Sequence, residues 1–238
     1  MIDEGLRSYM LRVYNYMASG LLITGVAAFV VYTVSVTTDA SMAVAQAGSL
    51  MLTDIGYAMF VSPLKWLIIL APLAMVFFLS FRLGKMSVSA GQTAFWAFSF
   101  LMGLSLASVF MVYTYASIAR VFFITAATFG SLSLWGYTTK RDISGMGSFL
   151  FMGLIGIIIA SLVNLFLASS ALQFMISVIG VLVFSGLTAY DTQQIKEIYY
   201  QGDSEVVAGR KAIMGALRLY LDFINLFMML LQLFGNRR

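Results

Sequence analysis

The feature that most limits what this chain can fold into is a series of long apolar segments. One stretch, between Asp142 and Asp191, contains no charged residue at all. Because an α-helix rises 1.5 Å per residue, crossing the hydrocarbon core of a bilayer takes about 20 apolar residues. Seven segments are long enough, namely residues 14–38, 58–81, 91–115, 118–138, 147–169, 171–192 and 212–234. The sequence therefore predicts an all-α integral membrane protein built as a bundle of seven transmembrane helices.

The composition agrees with this fold class. Of the 238 residues, 61% are hydrophobic and 10% are charged, whereas about a quarter of the residues in a soluble domain are charged. The polar stretches between the apolar segments are short, and none is long enough to separate two domains. We therefore expect one seven-helix transmembrane domain over residues 1–238, beginning with a short cytoplasmic segment of about residues 1–13.

The positions of the 14 Lys and Arg residues predict the orientation, because positive residues in short loops are retained in the cytoplasm. A cytoplasmic N-terminus puts most of them inside, and leaves outside only Lys65, Arg120, Arg237 and Arg238. Seven spans then place the C-terminus outside. Its two arginines oppose the rule, which leaves open a last segment that enters and leaves the membrane on one side. The basic clusters lack interleaved aromatic residues, so we expect the lipid bilayer as a partner and no nucleic acid.

The chemistry available to the chain is restricted, because it contains no Cys and no His. Thiol nucleophiles, Ser-His-Asp triads and His-ligated metal or haem sites are excluded. Any function that needs reactive groups must use carboxylates, Arg, Lys or hydroxyls. We expect no catalytic residues, no cofactor and no enzyme activity.

Ionisable residues within or beside the spans are informative, because a charge at membrane depth is costly unless it is paired, hydrated or functional. Asp191 closes the sixth span, and Asp222 lies about ten residues into the seventh, which starts from the same face. Both acids can therefore reach a similar depth. Arg218 precedes Asp222 by four residues, and Arg82 ends the second span on that face. Pro72, inside the second span, removes a backbone hydrogen bond and predicts a kink, which serves either packing or gating.

Two arrangements of these charges are compatible with their spacing. Facing carboxylates in a medium of low dielectric cannot both ionise cheaply, so Asp191 and Asp222 would share a proton, and Arg82 beside them would make a proton-sensitive latch. Alternatively, Arg218 and Asp222 form a local ion pair on one helix, and Asp191 meets water at a helix end. The spacing alone does not choose between the two arrangements.

Three segments resemble the signature segments of the Bax inhibitor 1 family, in its bacterial inner-membrane branch: SGLTAYDTQQIKEIYY, RLYLDFINLFMMLLQLFG and SLWGYTTKRDISGMGSFLFMGLIGIIIASLVNLF. The likeness covers essentially the whole chain. It implies a seven-helix bundle with a pH-sensitive calcium leak. In that family an aspartate of the YDTQ segment, here Asp191, pairs with one in the last helix, here Asp222. An arginine of the second helix contacts both in the closed form, and Arg82 matches it by position only.

The resemblance thus implies a pH-sensitive calcium leak channel gated by a di-aspartate pair with an arginine latch, located in the bacterial inner membrane. Calcium and protons are the expected ligands, and calcium would be permeant or weakly bound, because two acids supply few of the oxygens that it prefers. The residues expected in the pH sensor and ion pathway are Asp191, Asp222 and Arg82. Those expected in supporting roles are Arg218, Asn225 and Pro72.

Three other classes of function remain open. An intramembrane aspartyl protease also needs paired aspartates on its sixth and seventh helices, but Leu219, Tyr220 and Leu221 precede Asp222 where such proteases resemble one another in a glycine-containing motif. A regulatory protein that binds a membrane quality-control protease would need no conductance. A proton-coupled transporter could use the same two acids.

Overall fold

The architecture is almost entirely helical. A computed structural model describes residues 3–238, and seven of the helices in that range are long and apolar enough to cross a membrane. This confirms the predicted bundle of seven transmembrane helices. The helices are α1 (Glu4–Ser35), α2 (Asp54–Phe60), α3 (Leu64–Arg82), α4 (Val88–Val112), α5 (Tyr115–Thr138), α6 (Gly147–Leu167), α7 (Ser170–Glu197) and α8 (Glu205–Phe234), and the strands are β1 (Val36–Thr37), β2 (Ala45–Ala47) and β3 (Leu50–Leu52).

Several helices extend beyond the apolar segments that predicted them. Helix α1 begins at Glu4, where the side chain of Asp3 accepts a hydrogen bond from the backbone N–H of Gly5. Helix α8 begins at Glu205 after the cap residue Ser204, whose hydroxyl accepts from Val207. Hydropathy identifies only the part of a helix that lies in lipid. Both helices begin earlier, in polar turns whose N-terminal ends are capped by these side chains. Most of the predicted N-terminal segment, about residues 1–13, therefore belongs to α1.

The predicted start of the second span, residue 58, is wrong. The short helix α2 ends at Phe60, and α3 begins at Leu64 directly after Pro63. Proline has no backbone N–H and is well tolerated at the start of a helix, so Pro63 separates two helices that the continuous apolar sequence had merged.

The segment between α1 and α2 contains a small antiparallel sheet that the sequence did not predict. Its strand order is β1-β3-β2, and Val36 faces Leu52 across the first pair of strands. The sheet lies against the end of α1, where the backbone of Gly56 comes so close to Ser35 that a Cβ atom would collide with the carbonyl oxygen. Strands of two or three residues are too short to show an alternating pattern.

Helix α8 is the central element of the bundle. It packs against α1, α4, α5 and α7, whereas α3 lies outside on α4 and α6 lies outside on α7. Fifteen residues of α8 are buried, and the face that carries Arg218, Leu221 and Asn225 is the more exposed one, as expected for a helix with one wide apolar face. Side chains of α8 therefore have neighbours from four other helices.

Polar contacts define two opposite ends of the bundle. At one end Arg210 of α8 donates a hydrogen bond to the carbonyl of Met86 between α3 and α4, at 2.6 Å. At the other end Thr114, between α4 and α5, donates to the carbonyl of Asn236, at 3.1 Å. Helix α8 thus runs the full length of the bundle. This continuous helix argues against the alternative in which the last segment turns back within the membrane.

The two termini therefore lie at opposite ends, and the charge distribution predicts which end is cytoplasmic. Single cysteines introduced at Ser8 and Asn236, both exposed, should react with a membrane-impermeant reagent from opposite sides of a sealed vesicle. The residue at position 236 should react from outside the cell, and the one at position 8 only after the membrane is opened. Labelling of both cysteines from one side would contradict the seven-span topology.

A buried hydroxyl cluster joins three helices in the core. Thr24 of α1 lies 2.8 Å from the carbonyl of Ser99 on α4 and 2.6 Å from the hydroxyl of Tyr220 on α8. The ring of Tyr220 packs edge-on against Phe95 and Phe98, with centroids 5.9 and 5.2 Å away. Since the threonine has one proton to donate to a carbonyl, the tyrosine donates to the threonine.

Loss of this hydrogen bond should be measurable as a loss of stability. Tyr220→Phe should lower the free energy of unfolding in detergent by about 0.6–1.7 kcal/mol, which is the range for interhelical hydrogen bonds in membrane proteins. Tyr220→Ala should cost about 3–5 kcal/mol because it also leaves a cavity. The matched control is Tyr200→Phe, at an exposed tyrosine. Equal stability of the two Phe variants would contradict the assignment.

Candidate functional site

The carboxyl groups of Asp191 on α7 and Asp222 on α8 are neighbours, each within interaction range of the other. The Asp222 residue is only 5% exposed, whereas the side chain of Asp191 keeps 16% of its surface exposed. The structure thus brings together the two acids that the sequence placed at a similar depth. Asp222 is the inner member of the pair, and Asp191 lies nearer to solvent.

The register between α7 and α8 explains why these residues meet. The ammonium group of Lys211 donates a hydrogen bond to the carbonyl of Ile198, at 2.9 Å, which sets these two positions at one level. From this level the two antiparallel helices enter the bundle side by side. Seven residues further in, α7 has reached Asp191 and α8 has reached Arg218, and Asp222 follows one turn beyond.

Arg218 is the guanidinium group nearest to the pair. Its Nη1 atom lies 3.9 Å from Oδ1 of Asp191, and its side chain is 52% exposed. At that distance the two groups attract each other without forming a hydrogen bond. The predicted local pair between Arg218 and Asp222 is not what the structure holds, because the ion pair of Arg218 crosses to the neighbouring helix. Within residues 3–238 the other side-chain ion pair joins Lys211 to Asp203.

One oxygen of Asp222 has an unusual environment. Its Oδ2 atom is buried and has no hydrogen-bond partner in the part of the chain that the structure describes. Buried polar atoms nearly always have a partner, and an exception calls for an explanation. A proton held between the two carboxyls would give one of them a donor and remove the repulsion between two negative charges. The pair is therefore chemically suited to bind and release a single proton.

A chain of hydroxyl groups ends at Thr192, the residue after Asp191. The hydroxyl of Tyr14 on α1 lies 2.7 Å from that of Ser133 on α5, which in turn lies 2.9 Å from Oγ1 of Thr192. Thr192 follows Asp191 in α7 and donates to the carbonyl of Thr188, at 2.7 Å. The sequence does not predict this network, because single hydroxyls scattered over three apolar segments carry no spacing signal.

None of the remaining predicted residues forms a hydrogen bond or an ion pair with the two carboxyl groups within residues 3–238. Arg82 is exposed at the end of α3, which packs mainly on α4, and it forms no ion pair with an acid of residues 3–238. Pro72 is buried in α3, and the helix continues through it. Asn225 lies three residues after Asp222, and its amide donates to the carbonyl of Leu221 in its own helix. The gating role of Arg82 and the kink at Pro72 stay predictions.

The pair offers a calcium ion few ligands. Calcium prefers six to eight oxygens, and two carboxylates can supply at most about four. In the described range, no group of three or more His, Cys, Asp or Glu residues is placed to hold a metal ion. A site with so few ligands would bind calcium weakly. Weak binding is compatible with conduction, which requires that the ion can leave again.

Comparisons with known proteins agree with the fold and with the segments quoted above. A family model described as "Inhibitor of apoptosis-promoting Bax1" matches residues 6–238. The inner membrane protein YbhL of Escherichia coli is 48% identical over 236 residues, which cover 98% of this chain and 94% of YbhL. Protein RP147 of Rickettsia prowazekii is also 48% identical over 236 residues, covering 99% of this chain and 92% of RP147. The chain therefore belongs to the Bax inhibitor 1 family, as its three signature segments predicted.

Proposed function

We propose that this protein is a pH-sensitive cation leak channel with calcium as its permeant ion. The observation that carries the proposal is the neighbouring pair Asp191 and Asp222, with an unpartnered oxygen of Asp222 buried between packed helices. An ionisable pair at membrane depth is expensive to maintain and is usually retained for function. The resemblance of the YDTQ segment and of the last helix to the family's paired aspartates adds support.

The gate in this proposal is the contact between the pair and a guanidinium group. While Asp191 is ionised, a nearby arginine attracts it and helps to keep the helices together. Arg218 already lies beside Asp191, and Arg82 is the second candidate because of its position at the end of the second span. Uptake of a proton by the pair weakens that attraction, so the leak should rise as the pH falls.

The path for the ion begins at the end of the bundle where α7 and α8 are joined. Asp191 is partly exposed there, and Asp222 lies one turn deeper. Two acids in succession attract a cation from water and lead it toward the core. The positive-inside rule makes this end cytoplasmic, and the name of the relative YbhL supports the bacterial inner membrane as the location. A leak channel of this kind needs neither a catalytic residue nor a bound cofactor.

Calcium flux into vesicles tests the proposal. Purified protein in liposomes with an enclosed calcium indicator should admit calcium faster at low pH than at high pH, and protein-free liposomes should not. Asp191→Asn and Asp222→Asn should each reduce this difference. A flat response of all three proteins would reject the channel and favour a regulatory protein that binds a membrane protease. Flux that requires a proton gradient would instead identify a proton-coupled transporter.

A further inference from the structure

Helices α1 and α5 both pack on α8 and have few contacts with each other beyond the hydrogen bond between Tyr14 and Ser133, and an apolar crevice lies between them. Three cavities of about 540, 560 and 100 Å³ follow one another along α1, from Arg7 at one end to Phe29 at the other. Phe122, Phe129 and Phe223 contribute to their walls. We define the α1–α5 crevice as these three cavities.

A polar cavity of about 690 Å³ adjoins the crevice around the first turns of α1. Its polar lining includes Arg7, Arg12, Asn15 and one acid, Glu4, and Trp96 of α4 stands at its side. Arg7 and Leu11 line both this cavity and the crevice. A ligand that occupies both spaces must therefore be polar and anionic at one end, beside two guanidinium groups, and apolar along the rest.

We propose that the α1–α5 crevice binds one anionic phospholipid, with the phosphate beside Arg7 and Arg12 and an acyl chain along α1. Basic residues at the membrane surface attract anionic headgroups, and a tryptophan such as Trp96 suits the headgroup level. Arg7 and Phe29 are 22 positions apart in α1, which is about 33 Å at 1.5 Å per residue, so the crevice is long enough for one acyl chain. Two arginines against Glu4 leave the polar cavity positive.

The position of this site relates it to the carboxyl pair, although the proposal does not depend on the leak function. Phe223, which follows Asp222 in α8, lines the crevice. Tyr14 and Ser133 also line it, and their hydroxyl chain leads to Thr192 beside Asp191. A bound acyl chain would therefore lie against Phe223, the residue after Asp222, and against Tyr14 and Ser133, whose hydrogen bonds lead to the residue after Asp191.

Native mass spectrometry of the detergent-solubilised protein tests the headgroup part of the proposal. Phosphatidylglycerol should bind in preference to phosphatidylcholine with the same acyl chains. Arg7→Ala should lower this preference about fivefold, in line with the usual contribution of one basic residue near an anionic surface. The control is Lys85→Ala, at an exposed cation of the same end that lines none of these cavities. Equal effects of the two substitutions would overturn the headgroup assignment.

Two glycines allow the acyl-chain part to be tested without straining the fold. A Cβ atom at Gly130 or Gly25, which line the crevice, would meet nothing within 4 Å. Gly130→Leu and Gly25→Leu should therefore fill the crevice and reduce binding of both lipids. Gly156→Leu is the matched control, because a Cβ there also meets nothing and the residue lies on α6, away from the crevice.

Three results would overturn the proposal. Lipid binding could be the same in Gly130→Leu, Gly25→Leu and Gly156→Leu. Glycerol phosphate without acyl chains could compete as well as the intact lipid does. Finally, the protein could form a dimer that Gly130→Leu dissociates, which would identify the crevice as an interface between two copies of the chain.

Discussion

Changing Asp222 to Asn should remove most of the pH dependence of calcium flux, and adding Asp191→Asn should change it little further. Two groups that share one proton titrate as a unit, so the loss of either member removes the same transition. Flux into liposomes measured over a pH series for the wild type, both single variants and the double variant gives the comparison. Asp191→Asn alone is expected to remove as much of the pH dependence as Asp222→Asn does, because each substitution takes away one half of the pair.

The matched control for these substitutions is Asp142→Asn, in the loop between α5 and α6 at the same end of the bundle. Hydrogen bonds from Ser144 lower the pKa of Asp142, so this exposed acid stays ionised in the range of interest. The variant should keep the pH response of the wild type. Additive effects of Asp191→Asn and Asp222→Asn would show that the two acids act independently.

The second large effect is expected at Arg218. Arg218→Ala should raise the leak at pH values where the wild type is closed, because it removes the guanidinium next to Asp191. Arg218→Lys should restore closure in part, since an ammonium keeps the charge without the planar fork. The loss of stability should be small, about 1 kcal/mol or less, because the arginine is half exposed and solvent screens its ion pair. Flux and thermal denaturation of the same samples measure both effects.

Arg82 provides the discriminating comparison. Double-mutant cycles of flux should show coupling above about 0.5 kcal/mol between Arg218 and Asp191. If Arg82→Ala raises the leak and couples with either acid instead, the second helix carries the latch, and the end of α3 must approach the pair in the closed state. If neither arginine couples with an acid, the arginine gate is wrong, although the carboxyl pair could still respond to pH.

The sequence predicts the bundle well because few backbone structures are stable inside a bilayer. A membrane-spanning segment must satisfy its own backbone hydrogen bonds, so an apolar run of about 20 residues leads almost directly to a helix. The start of the second span and the small sheet were not predicted correctly, because they depend on weaker sequence signals. Pro63 divides one apolar run into α2 and α3, and the three strands after α1 are too short for a periodic pattern.

The two acids of the site are predictable from the sequence because charged residues are rare in membrane-spanning segments. A carboxylate in an apolar segment stands out, and the alternating directions of the helices put Asp191 and Asp222 at a similar depth. The choice of arginine depends on how α3, α7 and α8 are rotated and in which register they pack. A hydropathy pattern gives neither the rotation nor the register. The hydrogen bond of Lys211 to Ile198 reports the register of α7 and α8 that brings Arg218 to Asp191. The hydroxyls of Tyr14 and Ser133 were missed because they join the site only through the packing of α1 and α5.

Infrared spectroscopy of the carboxyl groups tests the central claim, that Asp191 and Asp222 share one proton, most directly. With aspartate labelled by ¹³C, the carbonyl band of protonated aspartic acid can be followed over a pH titration of the purified protein. Above about pH 5, where an ordinary solvated aspartate is ionised, we predict that the wild type loses one such protonated group in a single step, and that either Asp191→Asn or Asp222→Asn shifts or abolishes that step. Two independent steps in the wild type, or a band that neither substitution changes, would contradict a shared proton.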